Sequence, residues 1–345
     1  MIAHMNFADV IENAMNEIEY NENYSIRSNP KRGQSRTFTI LNSVGKPIYI
    51  VKFFNYLDGL TEDIGLENIK KYTTLDELID NIDEIESIQY QSESVIERIL
   101  FHRKCFNRYV NACVIESLDC FPALFYSEKE IYVEGSFFGY LIEEFVDGET
   151  LEKVIEEITI ENRLEYTVDF LFQLAEIINK LKTHGIVHRD ISPDNIMCMN
   201  TKYIVIDPGI IKMDDDDQVT QSMMRMGKLS YMSPEQYFGN SKHTTFKSDL
   251  YAVGIIALEI MLGFNPLQNI MITGGNRTVP HEELLKKYNR EYEDAYYNIV
   301  EETDSNEQIW RIMHKLVQID DRNRFESVDA FMDSMKSIEG GLQKK

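Results

Sequence analysis

One polar loop constrains the fold of this chain more than any other feature. The loop runs from His188 to Asn195 and lies between two short apolar segments. Twelve residues after Asn195, a short apolar strand delivers Asp207 to a Pro-Gly turn. The pattern predicts a polar loop and a strand end that are both held in place by buried segments.

The carboxylate and amide side chains of these two stretches suit phosphoryl transfer. One carboxylate must orient a hydroxyl and accept its proton, while a second carboxylate and an amide oxygen hold Mg²⁺ against a triphosphate. The loop resembles the H-R-D-x-x-x-x-N catalytic loop of eukaryotic-type (Hanks-type) serine/threonine protein kinases, and the Asp207 turn resembles their D-F-G motif. The resemblance implies Asp190 as the base and Asn195 and Asp207 as metal ligands. The alternative is a solvated loop that carries an Asp and an Asn by chance.

Later stretches resemble further markers of that family, so that the likeness covers residues 20–340. Residues 227–235, which end in Ser-Pro-Glu, resemble the activation segment, and residues 248–254 resemble the motif on helix F. The resemblance implies that Asp249 holds the backbone of the catalytic loop and that Arg324 forms an ion pair with Glu235.

The activation segment offers three candidate phosphoacceptors, Thr220, Ser222 and Ser230. Arg189 is the type of side chain that pairs with a phosphate there. The run of four aspartates at 214–217 is interpreted as a solvated acidic turn, with a built-in phosphate mimic as the alternative.

The family fold is α+β and bilobal, with a small antiparallel-sheet lobe and a larger, mainly helical lobe. We therefore predict an N-terminal lobe over 1–145 and a C-terminal lobe over 146–345. Alternating apolar residues predict strands, and apolar residues at helical spacing predict helices. The predicted strands are 24–26, 37–41, 48–54, 122–126 and 137–142, and the predicted helices include 6–19, 93–118 and 161–184.

Lys52 lies inside an apolar strand, at the position of the lysine in the family motif V-A-I-K. Burying an ammonium is costly unless it meets an anion, and the phosphates of ATP would supply one. The alternative is an edge-strand lysine that points to solvent. The preceding turn departs from the family, because Gly33 is the only glycine where G-x-G-x-x-G is usual. Either the flanking basic residues Lys31, Arg32 and Arg36 replace the glycine backbone, or the phosphate clamp is loose. Gly33 is the residue of this turn expected to contact the nucleotide.

Residues 143–148 resemble the hinge, where backbone groups of Glu144 and Val146 would bind the adenine edge. Glu143 then occupies the gatekeeper position, which is usually apolar, and a carboxylate there needs a partner such as Lys52. Kinases pair this lysine with a glutamate of helix C. The candidates in helix 93–118 are Glu93, Glu97 and Glu116, and Glu143 is the alternative to all three.

Residues 56–92 form an insert relative to a minimal kinase lobe. Thr74 and Glu77 fit a capping box, and an apolar stripe follows. We interpret the insert as a cover for the surface of the small lobe, with a regulatory or dimerisation helix as the alternative.

Two substitutions near the predicted chemistry suggest an exchange of charge. Serine/threonine kinases usually carry a lysine two residues after the catalytic Asp, where this chain has Ser192. They usually carry a threonine where this chain has Lys228. We hypothesise that Lys228 supplies the missing charge and is a catalytic residue.

The composition of the chain disfavours some classes of binding partner. The 345 residues carry a formal net charge of −23, which disfavours nucleic acid or an anionic membrane. Four cysteines without a C-x-x-C pair fit free thiols in a reducing compartment. There is neither an apolar run of 18 residues nor a signal pattern, so we expect a cytoplasmic protein without membrane insertion.

The sequence thus predicts a protein kinase that uses ATP and Mg²⁺ on serine or threonine residues of protein substrates. A nucleotide-binding pseudokinase that acts as a scaffold or regulator is the main alternative. A small-molecule phosphotransferase of related fold is a third possibility, but such enzymes lack the Ser-Pro-Glu and helix F motifs seen here.

Overall fold

The computed structural model describes residues 5–30, 35–199, 202–208, 212–213, 228–239, 243–273 and 279–342. Gly33, Thr220, Ser222 and the aspartate run at 214–217 lie outside these residues. The chain divides into two compact units, Met1–Asp147 and Gly148–Lys345. The predicted division, after residue 145, lies close to the observed one.

Unit 1 is built on a five-stranded antiparallel sheet with the strand order β1-β2-β3-β5-β4. Alternating β-branched and aromatic residues favour these strands. The hairpin between β4 and β5 turns at Glu134 and Gly135, which both have positive φ and so match the right-handed twist of the strands. The strands are β1 Tyr24–Ser28, β2 Ser35–Asn42, β3 Pro47–Asn55, β4 Leu124–Val133 and β5 Ser136–Glu144.

Each face of this sheet has its own apolar core. On one face, helix α1 (Phe7–Glu17) buries Phe7, whose ring packs edge-on against Phe53 of β3 with the centroids 4.7 Å apart. On the other face lies helix α5 (Ser92–Cys113), which buries one side of its length against β5 and the insert. On this side of the sheet, Lys52 of β3 and Phe137 and Leu141 of β5 are buried.

The insert folds as short helices whose apolar side chains join the α5 core. The predicted capping box is present: the Thr74 hydroxyl accepts a hydrogen bond from the backbone N–H of Glu77. The helix it begins is shorter than the apolar stripe suggests and ends at Asp80. This burial agrees with the interpretation of the insert as a cover. Its helices are α2 Thr61–Ile64, α3 Leu66–Ile69 and α4 Leu75–Asp80, followed by a 3₁₀ turn, Ile82–Glu84.

Unit 2 is mainly helical and packs around α9 (Phe246–Leu262), which is buried on nearly all sides. A helix that is apolar all round belongs in the interior, and α7, α13 and β7 pack against it. Its other elements are β6 Glu149–Thr150, α6 Leu151–Glu157, α7 Arg163–Thr183, β7 Ile186–Val187, β8 Ile196–Met199, β9 Lys202–Val205, β10 Lys212–Met213, α8 Pro234–Tyr237, α10 Pro266–Thr273, α11 Pro280–Lys287, α12 Glu293–Tyr297, α13 Asp304–Leu316 and α14 Val328–Leu342.

No single helix among the described residues has the length and apolarity to span a membrane. One pair, α9 and α10, meets those criteria only when the two helices are taken together, and the pair is bent by 86°.

Candidate active site

One buried carboxylate binds the backbone of the polar loop 188–195 in unit 2. The two oxygens of Asp249, near the start of α9, accept hydrogen bonds from the backbone N–H groups of His188 and Arg189, each at 2.8 Å. Burial raises the pKa of Asp249 to about 7, although the two N–H groups and the Arg189 charge act to lower it. The role predicted for Asp249 from the sequence is confirmed.

The backbone at Arg189 has a positive φ of 69°, which is rare for a residue with a Cβ. Its carbonyl accepts a hydrogen bond from the Gln236 amide at 2.8 Å, and its Nε donates to the Thr244 hydroxyl at 2.9 Å. Together with Asp249, these contacts fix the conformation from three directions. Such strain persists only where the surroundings over-determine it, as at functional sites.

His188 is fully buried, and burial lowers its pKa to about 3. Its Nδ1 lies 3.3 Å from the backbone N–H of Asp190 and accepts from it, which assigns the ring proton to Nε2. A neutral histidine therefore accepts the backbone N–H of Asp190 and helps to fix the position of that residue.

Asp190 and Asn195 are brought together by the 3₁₀ turn Pro193–Asn195. The Asn195 amide donates to Asp190 Oδ2 at 2.8 Å and to the Asp190 carbonyl at 3.0 Å. The other oxygen, Oδ1, accepts from the backbone N–H of Lys228 at 3.2 Å. Burial, and next the charge of Asp207, raise the pKa of Asp190 to about 6. The carboxylate is thus fixed in orientation, while its residue remains partly exposed.

Asp207 follows β9 and is tied to the same loop, because the N–H of Ile206 donates to the Asn195 carbonyl at 2.8 Å. Asp207 has a positive φ of 61° and is exposed, whereas Pro208 is buried. Since Nδ2 of Asn195 is used by Asp190, its Oδ1 is the atom that can ligate a cation. Asn195 and Asp207 therefore offer hard oxygen ligands from adjacent chain segments, as Mg²⁺ requires.

No group of three His, Cys, Asp or Glu side chains suited to a metal occurs within the part of the chain that the structure describes. This finding is compatible with Mg²⁺, which usually takes one or two carboxylates and completes its shell with phosphate and water. An amide and a carboxylate are enough for such a site.

Lys228 and Ser192 both contact Asp194. The Ser192 hydroxyl donates to Asp194 Oδ1 at 2.8 Å, and the Lys228 ammonium lies 2.5 Å from the same oxygen. The structure thus brings together the two positions whose side chains are exchanged relative to the family.

The ion pair predicted between Arg324 and Glu235 is confirmed. The guanidinium contacts both carboxylate oxygens, at 2.8 and 2.9 Å, and is fully buried. It also donates to the carbonyls of Gln318, Lys247 and Ile319. This pair connects the end of the activation segment to the C-terminal part of unit 2.

In unit 1, Lys52 is buried and does not point to solvent as an edge-strand lysine would. Its Nζ lies 2.7 Å from Glu143 Oε1 and donates to the Tyr109 hydroxyl at 2.7 Å. The Tyr109 hydroxyl in turn donates to Glu143 Oε2 at 2.7 Å. The three side chains close a buried triangle, and the partner carboxylate is Glu143 of β5.

The three glutamates considered for helix C lie elsewhere. Glu93 and Glu97 are on the exposed side of α5, and Glu116 follows the helix and is also exposed. For Glu93 and Glu97 the physical reason is the rotation of α5, whose buried stripe includes Tyr109 and excludes both acids. Glu116 is not on the helix, which ends at Cys113.

The hinge residues predicted from the sequence lie at the end of β5 and just after it. The Glu144 N–H donates to the Ala123 carbonyl at 2.8 Å, so this N–H is already used within unit 1. Val146 is largely buried two residues later.

The sequence did not predict several contacts of the site. Tyr109 binds Lys52 and Glu143, Gln236 and Thr244 bind Arg189, and Asp194 binds both Ser192 and Lys228. Tyr109 lies on the same helical stripe as Val95, Ile99 and Phe106, so its spacing indicates an ordinary core residue. Only the contact with Lys52 reveals its polar role.

Comparisons with known proteins agree with the motifs. The family model described as "Protein kinase domain" matches residues 104–335. The match begins inside α5, so Lys52 and the insert lie outside it.

The chain is also similar to bacterial kinases. It is 33% identical over 129 residues to a probable serine/threonine-protein kinase PknB of Lactococcus lactis, covering 37% of this chain and 20% of the relative. It is 35% identical over 142 residues to the serine/threonine-protein kinase PknA of Mycobacterium tuberculosis, covering 41% of this chain and 32% of the relative. The matched part thus spans a third or less of the length of these relatives.

Proposed function

The chain belongs to the Hanks-type serine/threonine protein kinase family, and we propose that it transfers the γ-phosphate of ATP to serine or threonine hydroxyls of protein substrates. The observation that carries the proposal is the fixed carboxylate of Asp190. It is oriented by Asn195 and Lys228, on a loop whose backbone is held by buried Asp249. A carboxylate so placed would orient the acceptor hydroxyl and accept its proton. With a pKa of about 6, it is mostly ionised at pH 7.

Mg²⁺ would be held by Asn195 Oδ1 and the Asp207 carboxylate. When bound, this ion neutralises the negative charge on the phosphate oxygens. The orientation of the Asn195 amide supports the assignment, because its donor end is used by Asp190.

Nucleotide contacts in unit 1 would come from Lys52 and the hinge. The Lys52 ammonium would contact the α- and β-phosphates, and the Glu144 carbonyl and Val146 N–H would bind the adenine edge. Gly33 would lie over the phosphates. The burial of Lys52 beside Glu143 supports its part, because the pair places a positive charge in a fixed position.

Lys228 is proposed to supply the charge that Ser192 lacks. Its contact with Asp194 supports the idea, since the same carboxylate accepts from Ser192 and the lysine backbone reaches Asp190. A cytoplasmic location and autophosphorylation at Thr220, Ser222 or Ser230 remain predictions.

A nucleotide-binding regulator without phosphotransfer is the second candidate. Two features favour it: Pro208 replaces the phenylalanine of D-F-G, and the partner of Lys52 comes from the sheet. Both features alter positions that support the nucleotide, while Asp190 and Asn195 are retained.

Transfer of labelled γ-phosphate in the presence of Mg²⁺ separates the two candidates, with the protein itself and a generic basic protein as acceptors. Label is expected on serine or threonine for the wild type. It should be lost in Asp207→Asn and retained in the control Asp333→Asn, an exposed aspartate of α14. Absence of label, together with an ATP-dependent rise in unfolding temperature, would favour the regulator instead.

A further inference from the structure

Lys52 has a carboxylate partner whose position is set by the sheet. In the pairing of β3 with β5, Lys52 lies opposite Leu141, and Glu143 is two residues further along β5. Residues two apart on a strand share a face, so Lys52 and Glu143 are diagonal neighbours on one face of the sheet. Backbone pairing between these two interior strands therefore places Lys52 and Glu143 on the same face, within reach of each other.

Helix α5 contributes a neutral group to the same cluster. The Tyr109 hydroxyl donates to Glu143 and accepts from Lys52, and the residue is fully buried. Its ring packs edge-on against Phe54 of β3, with the centroids 5.3 Å apart. The hydroxyl is thus held by packing as well as by its hydrogen bonds.

The insert fixes the helix that carries Tyr109. One continuous apolar core joins α5 and Leu141 to the helices of the insert, and Tyr109 is part of it. Moving α5 away from the sheet would expose this core and break the hydrogen bonds of the Tyr109 hydroxyl. The insert and the triangle of polar side chains therefore stabilise the same position of α5.

We propose that Glu143 and Tyr109 are the positioning residues of the nucleotide lysine, in place of a glutamate on the helix. Lys52 is then oriented by two adjacent strands, and α5 completes the arrangement with a hydroxyl. The inference rests on the proposed function, because it assumes that Lys52 contacts nucleotide phosphates. One consequence is that the charge pairing of Lys52 does not depend on a carboxylate carried by α5.

Binding of Mg·ADP compared with binding of adenosine tests the proposal by calorimetry on the full chain. Adenosine lacks the phosphates, so a change in Lys52 orientation affects ADP and leaves adenosine unaffected. Glu143→Gln keeps the shape of the side chain and removes its charge. We expect it to weaken ADP binding by about tenfold, the usual effect of losing a hydrogen bond to a charged group. Tyr109→Phe removes only a hydroxyl and should weaken ADP binding by about threefold to tenfold.

Glu93→Gln and Glu97→Gln are the matched controls, because both acids are on α5 and exposed. They should bind ADP as the wild type does. Tyr109→Phe keeps the test decisive if Glu143→Gln fails to fold, since it leaves the Lys52–Glu143 pair and the aromatic packing in place.

The outcomes distinguish the positioning role of Glu143 and Tyr109 from the phosphate-binding role of Lys52 on which it depends. If the wild type binds ADP no more tightly than adenosine, the phosphate role of Lys52 is wrong. If the wild type prefers ADP and both variants keep that preference, or strengthen it, the positioning role is wrong. Equal weakening of ADP and adenosine would reveal a purely structural role and would also overturn the proposal.

Discussion

Removal of the Arg324 guanidinium should be among the most damaging single changes to unit 2. Arg324→Met keeps an apolar stem but removes every hydrogen bond of a side chain with no exposed surface. Glu235, whose side chain is 15% exposed, would keep the Ser248 hydroxyl at 2.7 Å as a partner for its charge. Three backbone carbonyls would also lose their donor.

The expected loss of stability follows from the Glu235 carboxylate, which remains buried without its partner. Removing one partner of a buried ion pair costs roughly 3–5 kcal/mol, because the other charge stays uncompensated. At roughly 2–4 °C per kcal/mol for a unit of this size, the expected fall in unfolding temperature is about 6–20 °C. Calorimetry on the full chain should show this fall in the transition of unit 2.

The pH dependence of the same variant gives a sharper test. Burial alone would raise the pKa of Glu235, but Arg324 and Ser248 outweigh it, so the pKa lies below its usual 4.5. A lowered carboxyl pKa stabilises the fold above pH 4.5, and this stability is lost as the pH falls. Arg324→Met should therefore lose less stability than the wild type on acidification from pH 6 to pH 4. Equal stability of the two proteins at pH 7 would refute the reasoning.

Three further changes test other parts of the account. If Lys228 supplies the charge absent at Ser192, Lys228→Ala should lower the phosphotransfer rate. Adding Ser192→Lys to that variant should restore the rate. An undiminished rate in Lys228→Ala would exclude this role for Lys228. Asp249→Asn replaces one of the two oxygens that accept the backbone N–H groups by an amide donor, and it should lower the free energy of unfolding by about 1–3 kcal/mol in urea titrations. An unchanged value would contradict the role of Asp249 in holding the loop. Gly139→Ala would place a Cβ 2.3 Å from the Tyr56 hydroxyl and 2.8 Å from the Phe106 ring. This crowding should lower the free energy of unfolding by about 1–3 kcal/mol in the same titration. Wild-type stability would show that the core shared by α5 and the insert adjusts to the added methyl group.

The sequence predicted the catalytic loop well because its contacts are local or carried by distinctive residues. The offset from Asp190 to Asn195 places both side chains on one tight turn, and Asp249 is recognisable from its own motif. Helix α7 was predicted over 161–184 and runs over 163–183, since its apolar period is regular and a Gly follows it.

The partner of Lys52 was harder to predict because it depends on strand register and on the rotation of α5. Glu143 was one of four acidic candidates, and only the pairing of β3 with β5 distinguishes it. Tyr109 gave no polar signal at all, since its spacing is that of a core residue.

The described residues 279–307 contain buried tyrosines that the sequence does not mark as core residues. Tyr288 and Tyr296 stack on Trp310, with ring centroids 4.0 and 4.8 Å away. Their hydroxyls donate to the carbonyls of Trp310 and Asn306. Tyrosine is amphipathic, so a helical spacing of tyrosines does not reveal from sequence whether that face is buried.

The central claim is that Asp190 is the base of a phosphotransfer reaction. Asp190→Asn keeps the size of the side chain and its contact with Asn195, but it cannot accept a proton. A single-turnover measurement of γ-phosphate transfer at saturating Mg·ATP compares this variant with the wild type. The account predicts transfer by the wild type and a fall of about a hundredfold or more in the variant, with ATP binding retained. Equal transfer rates in the two proteins would contradict it.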